Sequence, residues 1–205
     1  DIVDKHQNEI AGYVDFRQML FSWMTFNAGF RIDNHDQAGT EYIPQAGLAF
    51  HLPKDAELKL SASRGFRYPI IREMFMWGVA NADLEAESIW NYELAFSQKL
   101  MDNQLKYGVN VFHLRGDNMI AVAPVNGKMM NVNTGVIENT GVEFQVDYRL
   151  SPMVSLNGNY SYLHMENPVI GSPEHKLYAG VHASKSAWEL STGVQYVNGL
   201  YKSVN

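Results

Sequence analysis

Apolar and polar residues alternate along most of this chain, which is the pattern of β-strands with two chemically different faces. The clearest example covers residues 141–150, where every second residue is apolar: Val142, Phe144, Val146, Tyr148 and Leu150. The same alternation recurs at 90–100, 105–111, 154–162 and 188–196, and more weakly at 10–16, 20–32, 43–52, 57–64 and 176–184. No window sustains helical spacing, although residues 70–77 suit one turn of helix. The pattern predicts an all-β chain of about ten strands.

The connections between the predicted strands alternate between short and long. Short turns fall at 53–55, 101–103, 151–153 and 185–187, and long connections fall at 33–42, 65–89, 114–140 and 165–175. In an antiparallel up-and-down sheet every second connection emerges at the same end, so one end is predicted to carry tight turns and the other large loops. This asymmetry is typical of outer-membrane β-barrels.

Two architectures are consistent with strands of this kind. A transmembrane β-barrel turns the apolar face towards lipid, whereas a soluble β-sandwich buries it between two sheets. Several predicted strands run about 10 to 14 residues, which exceeds the usual length in soluble sheets and suffices to cross a bilayer. Trp90 and Trp188 lie near strand ends, where barrels place interfacial aromatic residues. These features favour the barrel, although alternation alone does not say which face meets lipid.

Composition narrows the chemistry of the chain. There is no Cys, which excludes disulfides, thiolate zinc sites and iron–sulfur clusters. The formal net charge of −6 offers no basic surface for nucleic acid. His35, His113, His164 and His175 lie near the long connections with several Met residues, but no His-x-His spacing occurs, so no metal site is predicted. No nucleophile motif occurs either, and we expect neither a cofactor nor enzymatic activity.

Several short motifs, in a consistent order, resemble one known family. The first is Ser63-Arg64-Gly65-Phe66-Arg67-Tyr68-Pro69, followed by Arg72-Glu73. The others lie at 81–94, with the sequence NADLEAESIWNYEL, at 131–133 (Asn-Val-Asn), at 140–143 (Thr-Gly-Val-Glu) and at 172–177, with the sequence SPEHKL. Together they run from about Pro44 to Tyr196 and resemble the C-terminal barrel region of TonB-dependent outer-membrane receptors.

The resemblance implies a partial barrel domain. Receptors of this family combine an N-terminal plug domain with a barrel of about 22 strands. Residues 1–205 are therefore expected to supply about half of such a barrel, without the plug and without its C-terminal strand. Alone, these strands are expected to leave two open edges, to close as a narrower barrel, or to pair with a second copy. Ala82 and Ala86 stand where the family has prolines, which predicts a less rigid loop.

The resemblance also implies a function. The intact protein would lie in the cell outer membrane, capture a scarce solute at its external loops and admit it through the plugged barrel. Its implied partners are outer-membrane lipid, the TonB energy-transducing complex acting through the plug, and a small-molecule or chelate ligand such as an iron–siderophore, haem, cobalamin or a glycan. Two alternatives stay open from the residues alone: a small self-contained outer-membrane barrel enzyme, and a soluble β-sandwich binding module.

Four residues at a predicted junction of strand and loop are candidate ligand contacts: Arg64, Arg67, Arg72 and Glu73. A guanidinium fork suits an anionic ligand, and the alternative is a salt bridge that fixes the shape of the loop. The family motifs further imply structural roles for Gly65, Phe66, Pro69, Leu84, Glu87, Tyr92, Glu93, Asn133, Gly141, Glu143, Pro173 and His175. On the polar face, Glu93, Glu143, Asp147 and Arg149 are predicted to line a water-filled wall.

Overall fold

A computed structural model describes residues 6–201 as one antiparallel sheet of ten strands with a single short helix. The strands are β1 (Glu9–Phe21), β2 (Met24–His35), β3 (Gly39–Leu52), β4 (Ala56–Arg67), β5 (Glu87–Leu100), β6 (Leu105–Val125), β7 (Lys128–Arg149), β8 (Val154–Met165), β9 (Pro173–Lys185) and β10 (Trp188–Leu200). The helix, α1 (Ile71–Phe75), lies between β4 and β5 where one helical turn was predicted. The all-β prediction and the predicted number of strands are confirmed.

The strands follow one another across the sheet in chain order, from β1 to β10. Each pairs antiparallel with its sequence neighbours, which confirms the up-and-down topology. The sandwich alternative is wrong because the described residues form a single sheet with no second layer packed on it. In the described part of the chain, β1 and β10 do not pair with each other, so the sheet stays open at both edges. No helix in residues 6–201 is long and apolar enough to span a membrane.

The register across the sheet sorts its two faces by polarity. On one face the paired residues Leu58, Phe96, Val109, Phe144, Tyr160 and Leu177 form a continuous apolar row. On the other face Asn110, Glu143, Ser161 and Lys176 form a polar row. Side chains alternate between the two sides along every strand. Because the strands pair apolar residue with apolar residue, the apolar side chains of all these strands lie on one face of the sheet. We call these the apolar face and the polar face.

Little of this apolar surface is buried. The accessible surface is 14020 Å², whereas a folded monomer of this mass is expected to expose about 9,700 Å². Phe144 and Leu177 are 40% and 44% exposed although neither lies on an edge strand of the sheet. Among residues 6–201 the buried apolar side chains include only Ala56, Pro69, Met74, Leu84, Ala86 and Met165. The sheet therefore lacks a protein layer over its apolar face.

The predicted long loop at 114–140 is wrong, because β6 and β7 continue through it as one long hairpin. Their pairing extends to Val125 and Lys128. The turn is Asn126-Gly127, with φ values of 50° and 78°. Positive φ at both positions is the type I′ geometry that matches strand twist, and Asn-Gly is the dipeptide that best tolerates it. We call the part of the hairpin from 117 to 136 the extension.

Two compensating irregularities mark the base of the extension. Gly116 pairs with Ile137 and Met119 with Gly135, which leaves one additional residue on β6. The following pair, Ile120 with Asn133, restores the register by leaving one additional residue on β7. Asn118 lies within this bulge and has a φ of 57°. A bulge interrupts the ladder and leaves backbone groups that need other partners.

Two further connections differ from the prediction. The connection expected at 33–42 is only the turn 36–38, because β2 and β3 pair up to His35 and Gly39. Its backbone N–H groups at Gln37 and Ala38 donate to Nδ1 of His35, which closes the turn with a side chain. The strand expected at 20–32 is split by a turn at Ser22-Trp23. The connections at 68–86 and 166–172 are long, as predicted, and lie at the same end as the extension. We call this end the loop rim.

The sheet predicts a sharp difference between two glycines. A Cβ at Gly141 would lie 2.3 Å from the Phe112 ring and 2.8 Å from the carbonyl oxygen of Tyr162, whereas a Cβ at Gly12 would meet nothing within 4 Å. We expect Gly141→Ala to destabilise the folded chain by about 1–3 kcal/mol because a ring and a backbone must both shift. Gly12→Ala should change stability by less than about 0.5 kcal/mol. Urea unfolding of both variants in lipid vesicles measures this, and equal midpoints would contradict the packing described.

Candidate functional site

The loop rim holds the best-packed part of the described chain. Here the segment 68–86, which contains α1, folds over the base of the extension, and we call it the rim loop. Its buried side chains are Pro69, Met74, Leu84 and Ala86. Elsewhere the sheet is one layer thick, so this loop supplies the local core. The candidate functional site is built around it.

Glu73 joins four parts of the rim. Its carboxylate accepts hydrogen bonds from Nη1 and Nη2 of Arg67, at 3.0 and 3.2 Å. It also accepts from the backbone N–H of Ile70 at 3.0 Å, which caps the first turn of α1. Its backbone carbonyl accepts from the side chain of Asn131 at 3.0 Å and from the backbone N–H of Asn81 at 3.1 Å. Partial burial raises the pKa of the Glu73 carboxyl, but the bonds from Arg67 and Ile70 outweigh it and the pKa lies below its ordinary value.

Glu87 connects the same arginine to the bulge. Its Oε2 accepts from Nε of Arg67 at 2.5 Å, and its Oε1 accepts from the backbone N–H of Ile120 at 2.7 Å. Ile120 is the first residue after the bulge in β6, where the ladder is interrupted. Glu87 is buried, and its carboxylate is satisfied by a cation and a backbone donor. Arg67 therefore holds one carboxylate of the rim loop and one of the sheet.

Two asparagines on β7 bind the backbone of the rim loop. Asn133 accepts from the N–H of Glu85 and donates to the C=O of Glu85, both at 2.9 Å, so its amide replaces a strand partner. It also donates to the carbonyl of Asn118 in the bulge at 2.8 Å. The backbone N–H of Asn131 donates to Val79 at 2.7 Å, and its C=O accepts from the side chain of Asn81 at 2.9 Å. Only a side chain with both a donor and an acceptor can make the Asn133 pair.

A second polar cluster lies where the rim loop leaves β4. The Tyr68 hydroxyl lies within hydrogen-bond distance of the backbone carbonyls of Asp33 and Gly39, at 3.1 and 3.2 Å. Asp33 is fully buried and accepts from Nε of Arg31 at 2.8 Å. The ring of His35 packs 4.6 Å from that of Tyr68. Burial, followed by the nearby negative charges of Asp33 and Glu41, raises the pKa of the Tyr68 hydroxyl.

The four candidate ligand contacts occupy different positions. Arg67 and Glu73 bind each other, as described above. Arg64 instead pairs with Glu41 at 2.6 Å and donates to the carbonyl of Tyr42 at 2.7 Å. Arg72 is exposed on α1, and within residues 6–201 its side chain has no hydrogen bond or ion pair. Contact of any of the four with a ligand stays a prediction, and Arg72 is the one whose guanidinium is available.

Several motif residues have identifiable packing roles. Pro69 and Leu84 are buried under the rim loop. Phe66 packs edge-on against Tyr68 at 4.9 Å. Gly65 pairs with Ile89, whose side chain would lie 3.3 Å from a Cβ.

The remaining motif residues lie along the sheet. Tyr92 stacks between Trp90 and His113 on the apolar face, at 5.9 and 6.4 Å. His175 lies on the same face, with its Nδ1 2.8 Å from the hydroxyl of Tyr160. Glu93 and Glu143 lie on the polar face and accept from Asn91 and Asn110 respectively. Asp147 and Arg149 lie four and six residues after Glu143 on the same strand, and Pro173 begins β9.

The polar face carries a groove of about 630 Å³. Its lining includes Glu57, Lys59, Glu93, Asn110, Glu143 and Lys176. The side chain of Glu57 also forms a 2.6 Å ion pair with Lys59. In the part of the chain that the structure describes, no group of three or more His, Asp or Glu side chains is arranged to hold a metal ion. The groove is therefore lined by side chains of both charges, and the described residues form no metal centre there.

Sequence reasoning missed the role of Asn131 and the carboxylate–bulge contact of Glu87. Asn131 and Asn133 stand two residues apart on one strand, so their side chains lie on the same face. That spacing was visible in the sequence, but nothing in the sequence identified the segment 50 residues away that these side chains contact. The alternation of apolar and polar residues does not reveal the bulge, so nothing in the sequence indicated that Glu87 accepts a hydrogen bond from the backbone N–H of Ile120.

Comparison with known proteins fits this geometry. A family model described as TonB dependent receptor-like, beta-barrel, matches residues 3–205. The chain belongs to the TonB-dependent receptor family. The up-and-down sheet is thus part of a barrel of this family.

Named relatives of this family are distant in sequence. The iron-regulated outer membrane virulence protein of Vibrio cholerae is 23% identical over 83% of this chain and 31% of its own length. The metal-pseudopaline receptor CntO of Pseudomonas aeruginosa is 22% identical over 89% of this chain and 27% of its own length. The chain therefore spans about a third of the length of these curated relatives.

Solved structures share the fold at similarly low identity. The siderophore receptor PirA of Pseudomonas aeruginosa superposes with a TM-score of 0.79 at 20% identity, covering 93% of this chain and 38% of PirA. The ferric enterobactin receptor PfeA superposes with a TM-score of 0.83 at 17% identity, covering 94% of this chain and 33% of PfeA. The likeness shows that the open sheet shares the fold of part of these longer chains.

The position of Glu73 predicts a pH-dependent change at the rim. Since the folded pKa is lowered, the carboxylate stabilises the loop fully above its unfolded pKa of about 4.5, and this is lost as the pH falls through the folded value. In Glu73→Gln, the N–H of Ile70 should exchange with solvent faster than in the wild type at pH 6. The ratio of the Ile70 N–H exchange rate in the variant to that in the wild type should approach one well below pH 4.5, where the wild-type carboxyl is also neutral.

Hydrogen exchange resolved to single amides measures this ratio. Glu85→Gln is the matched control, because Glu85 is exposed in the same loop and its side chain makes no hydrogen bond or ion pair with residues 6–201. A ratio for Glu73→Gln that does not change between pH 6 and pH 3 would contradict the assigned role.

Proposed function

We propose that this chain forms part of the barrel wall of a TonB-dependent outer-membrane receptor that imports a scarce solute. The observation that carries the proposal is the apolar face, which has no protein layer over it in a sheet that superposes on receptor barrels. In water such a face is unfavourable, whereas in a bilayer it replaces lipid–lipid contacts. The apolar face is proposed to meet lipid, and the polar face to line the interior.

The height of the apolar face suits a bilayer. Along β7 and the residue after it, the alternate residues from Thr140 to Leu150 are mostly apolar, and Glu138 precedes them on the same face. Ten residue steps of about 3.3 Å, tilted by about 45°, span about 23 Å, close to the roughly 25 Å apolar band of outer-membrane barrels. Towards the loop rim from this apolar band, the next row of paired residues across the sheet consists of Arg64, Trp90, Arg115 and Glu138. This row is proposed to lie at the membrane surface, with the loop rim outside the cell.

The open edges are proposed to be completed by further strands. β1 and β10 each run 13 residues with one side of the strand free in the described sheet. An exposed strand edge is a template for pairing. Since the relatives are about three times longer, residues 1–205 are proposed to be a partial barrel domain within a barrel of about 22 strands. A plug domain in such a barrel would receive energy from the TonB complex.

A metal chelate is the ligand class we propose for this receptor. The matched proteins include, by name, a metal-pseudopaline receptor, two siderophore receptors and a ferric enterobactin receptor. Such chelates are commonly anionic, and an exposed guanidinium such as that of Arg72 suits them. Haem, cobalamin and glycans remain the other classes. A self-contained barrel enzyme is the second candidate, but no feature of the described rim favours it over transport.

The experiment is an uptake assay with the gene that encodes this chain. It is expressed in a Gram-negative host lacking its own siderophore receptors, and uptake of radioactive iron from a panel of siderophores is measured. We expect energy-dependent uptake of at least one chelate, abolished when the host TonB is deleted. Arg72→Gln should reduce uptake at low concentration more than Lys54→Gln, a control in a turn at the opposite end. Uptake that persists without TonB would contradict the proposal.

A further inference from the structure

The dipeptide Asn-Gly occurs three times in this chain, and the fold gives each copy a different environment. The copies stand at 126–127, 157–158 and 198–199. In such a dipeptide the backbone nitrogen of the glycine can attack the side-chain carbonyl carbon of the asparagine, because glycine has no Cβ to hinder the approach. The attack requires the asparagine side chain and the following peptide to rotate towards each other. A backbone held in a ladder therefore suppresses the reaction, and a free backbone permits it.

The copy at 126–127 is the least restrained of the three. It forms the exposed two-residue turn at the tip of the extension. The turn is closed by the pair Val125 and Lys128, so neither residue of the dipeptide takes part in the ladder. Among residues 6–201 the carboxamide of Asn126 makes no hydrogen bond, so it is free to rotate. A Cβ at Gly127 would meet no atom within 4 Å, which leaves the glycine nitrogen open on that side.

The other two copies are held by the sheet. Asn157 and Gly158 lie inside β8, where they pair with β7 on one side and with β9 on the other. Asn198 lies near the end of β10 and pairs on one side only, with His175 of β9. Loop tips open at almost no cost in free energy, whereas strands within a sheet open only together with much of the fold. The copy at 126–127 should therefore react fastest and the copy at 157–158 slowest.

We propose that Asn126 is a site of spontaneous deamidation, with water as the only co-reactant. The nitrogen of Gly127 loses its proton and forms a bond to Cγ of Asn126. The bond from Cγ to Nδ2 breaks, and ammonia leaves. Water then opens the resulting cyclic imide at one of its two carbonyl carbons. Opening at one carbonyl gives an aspartate, and opening at the other gives an isoaspartate, in which the backbone runs through the former side chain.

The modification changes both the charge and the backbone at the tip of the extension. A neutral amide becomes a carboxylate next to Lys128 in the sequence. The isoaspartate form also adds one atom to the backbone of a turn whose two residues match the strand twist in type I′ geometry. The closing pair of the turn should then loosen. None of these steps depends on the solute that the receptor imports, so this site and the proposed function can fail independently.

Peptide mass spectrometry measures the three copies in one sample. The full-length receptor that contains this chain is kept folded in detergent micelles at about pH 8.5, and a second sample is kept in urea. Deamidation replaces NH₂ by OH, and fragment ions locate the change and separate aspartate from isoaspartate. In the folded sample we expect Asn126 to convert at least about tenfold faster than Asn157. In urea we expect all three copies to convert at similar rates, because only the fold distinguishes them.

Exchanging the two residues of the turn provides a matched control. The double variant Asn126→Gly and Gly127→Asn keeps residues that tolerate positive φ at both positions, so the turn should still form. Its asparagine precedes Lys128, whose side chain hinders the attacking nitrogen. We expect deamidation at the tip to slow by at least about tenfold in this variant.

Two results would overturn the assignment. Equal conversion of Asn126 and Asn157 in the folded wild type would show that the fold does not select the site. An unconverted Asn126 in the folded sample, with full conversion in urea, would show that the turn protects its own peptide bond. If the exchanged variant fails to fold, its Asn157 converts as fast as in urea, and the comparison of Asn126 with Asn157 in the wild type then decides the question.

Discussion

The uncovered apolar face determines most of the architecture of this chain. Ten strands in register place one apolar side chain beside the next, and nothing in the described chain packs on them. The surface exceeds that of a compact monomer by about 4,000 Å² on the scaling expectation. A soluble domain would bury this face in a second layer. A bilayer makes the second layer unnecessary, so the fold needs only hydrogen-bonded strands and short turns.

The rim follows from the same constraint. Where the sheet leaves the bilayer, lipid no longer covers it, and the chain must form its own small core and satisfy its own backbone. Met74 and Leu84 supply the core, and Glu73, Glu87, Asn131 and Asn133 satisfy the backbone. Hydrogen bonds flank Ala82, at Asn81 and at Glu85. That Ala82 and Ala86 make this loop less rigid than in relatives stays a prediction.

The sequence predicted the parts of the fold that depend on local pattern. Alternation located the strands because one face of each is apolar, and the family motifs located the rim. The extension was missed because Glu138 and Thr140 interrupt the alternating apolar series of β7, and the interruption resembles a loop. The Asn126-Gly127 turn was the available signal for it. The Arg67–Glu73 pair was foreseen only as the alternative to ligand binding, whereas the contacts of Glu87 and Asn131 depend on residues distant in the chain.

The central claim is that alternate residues of one strand face lipid and the barrel interior. Single cysteines at positions 144 and 145 test it, since the natural chain has none. In intact outer membranes, a water-soluble maleimide should label the cysteine at 145, on the polar face, and leave the one at 144 largely unlabelled. A lipid-soluble maleimide should reverse the preference. Equal labelling of both positions by both reagents would contradict the assignment of the two faces and, with it, the account of this chain as a wall of a membrane barrel.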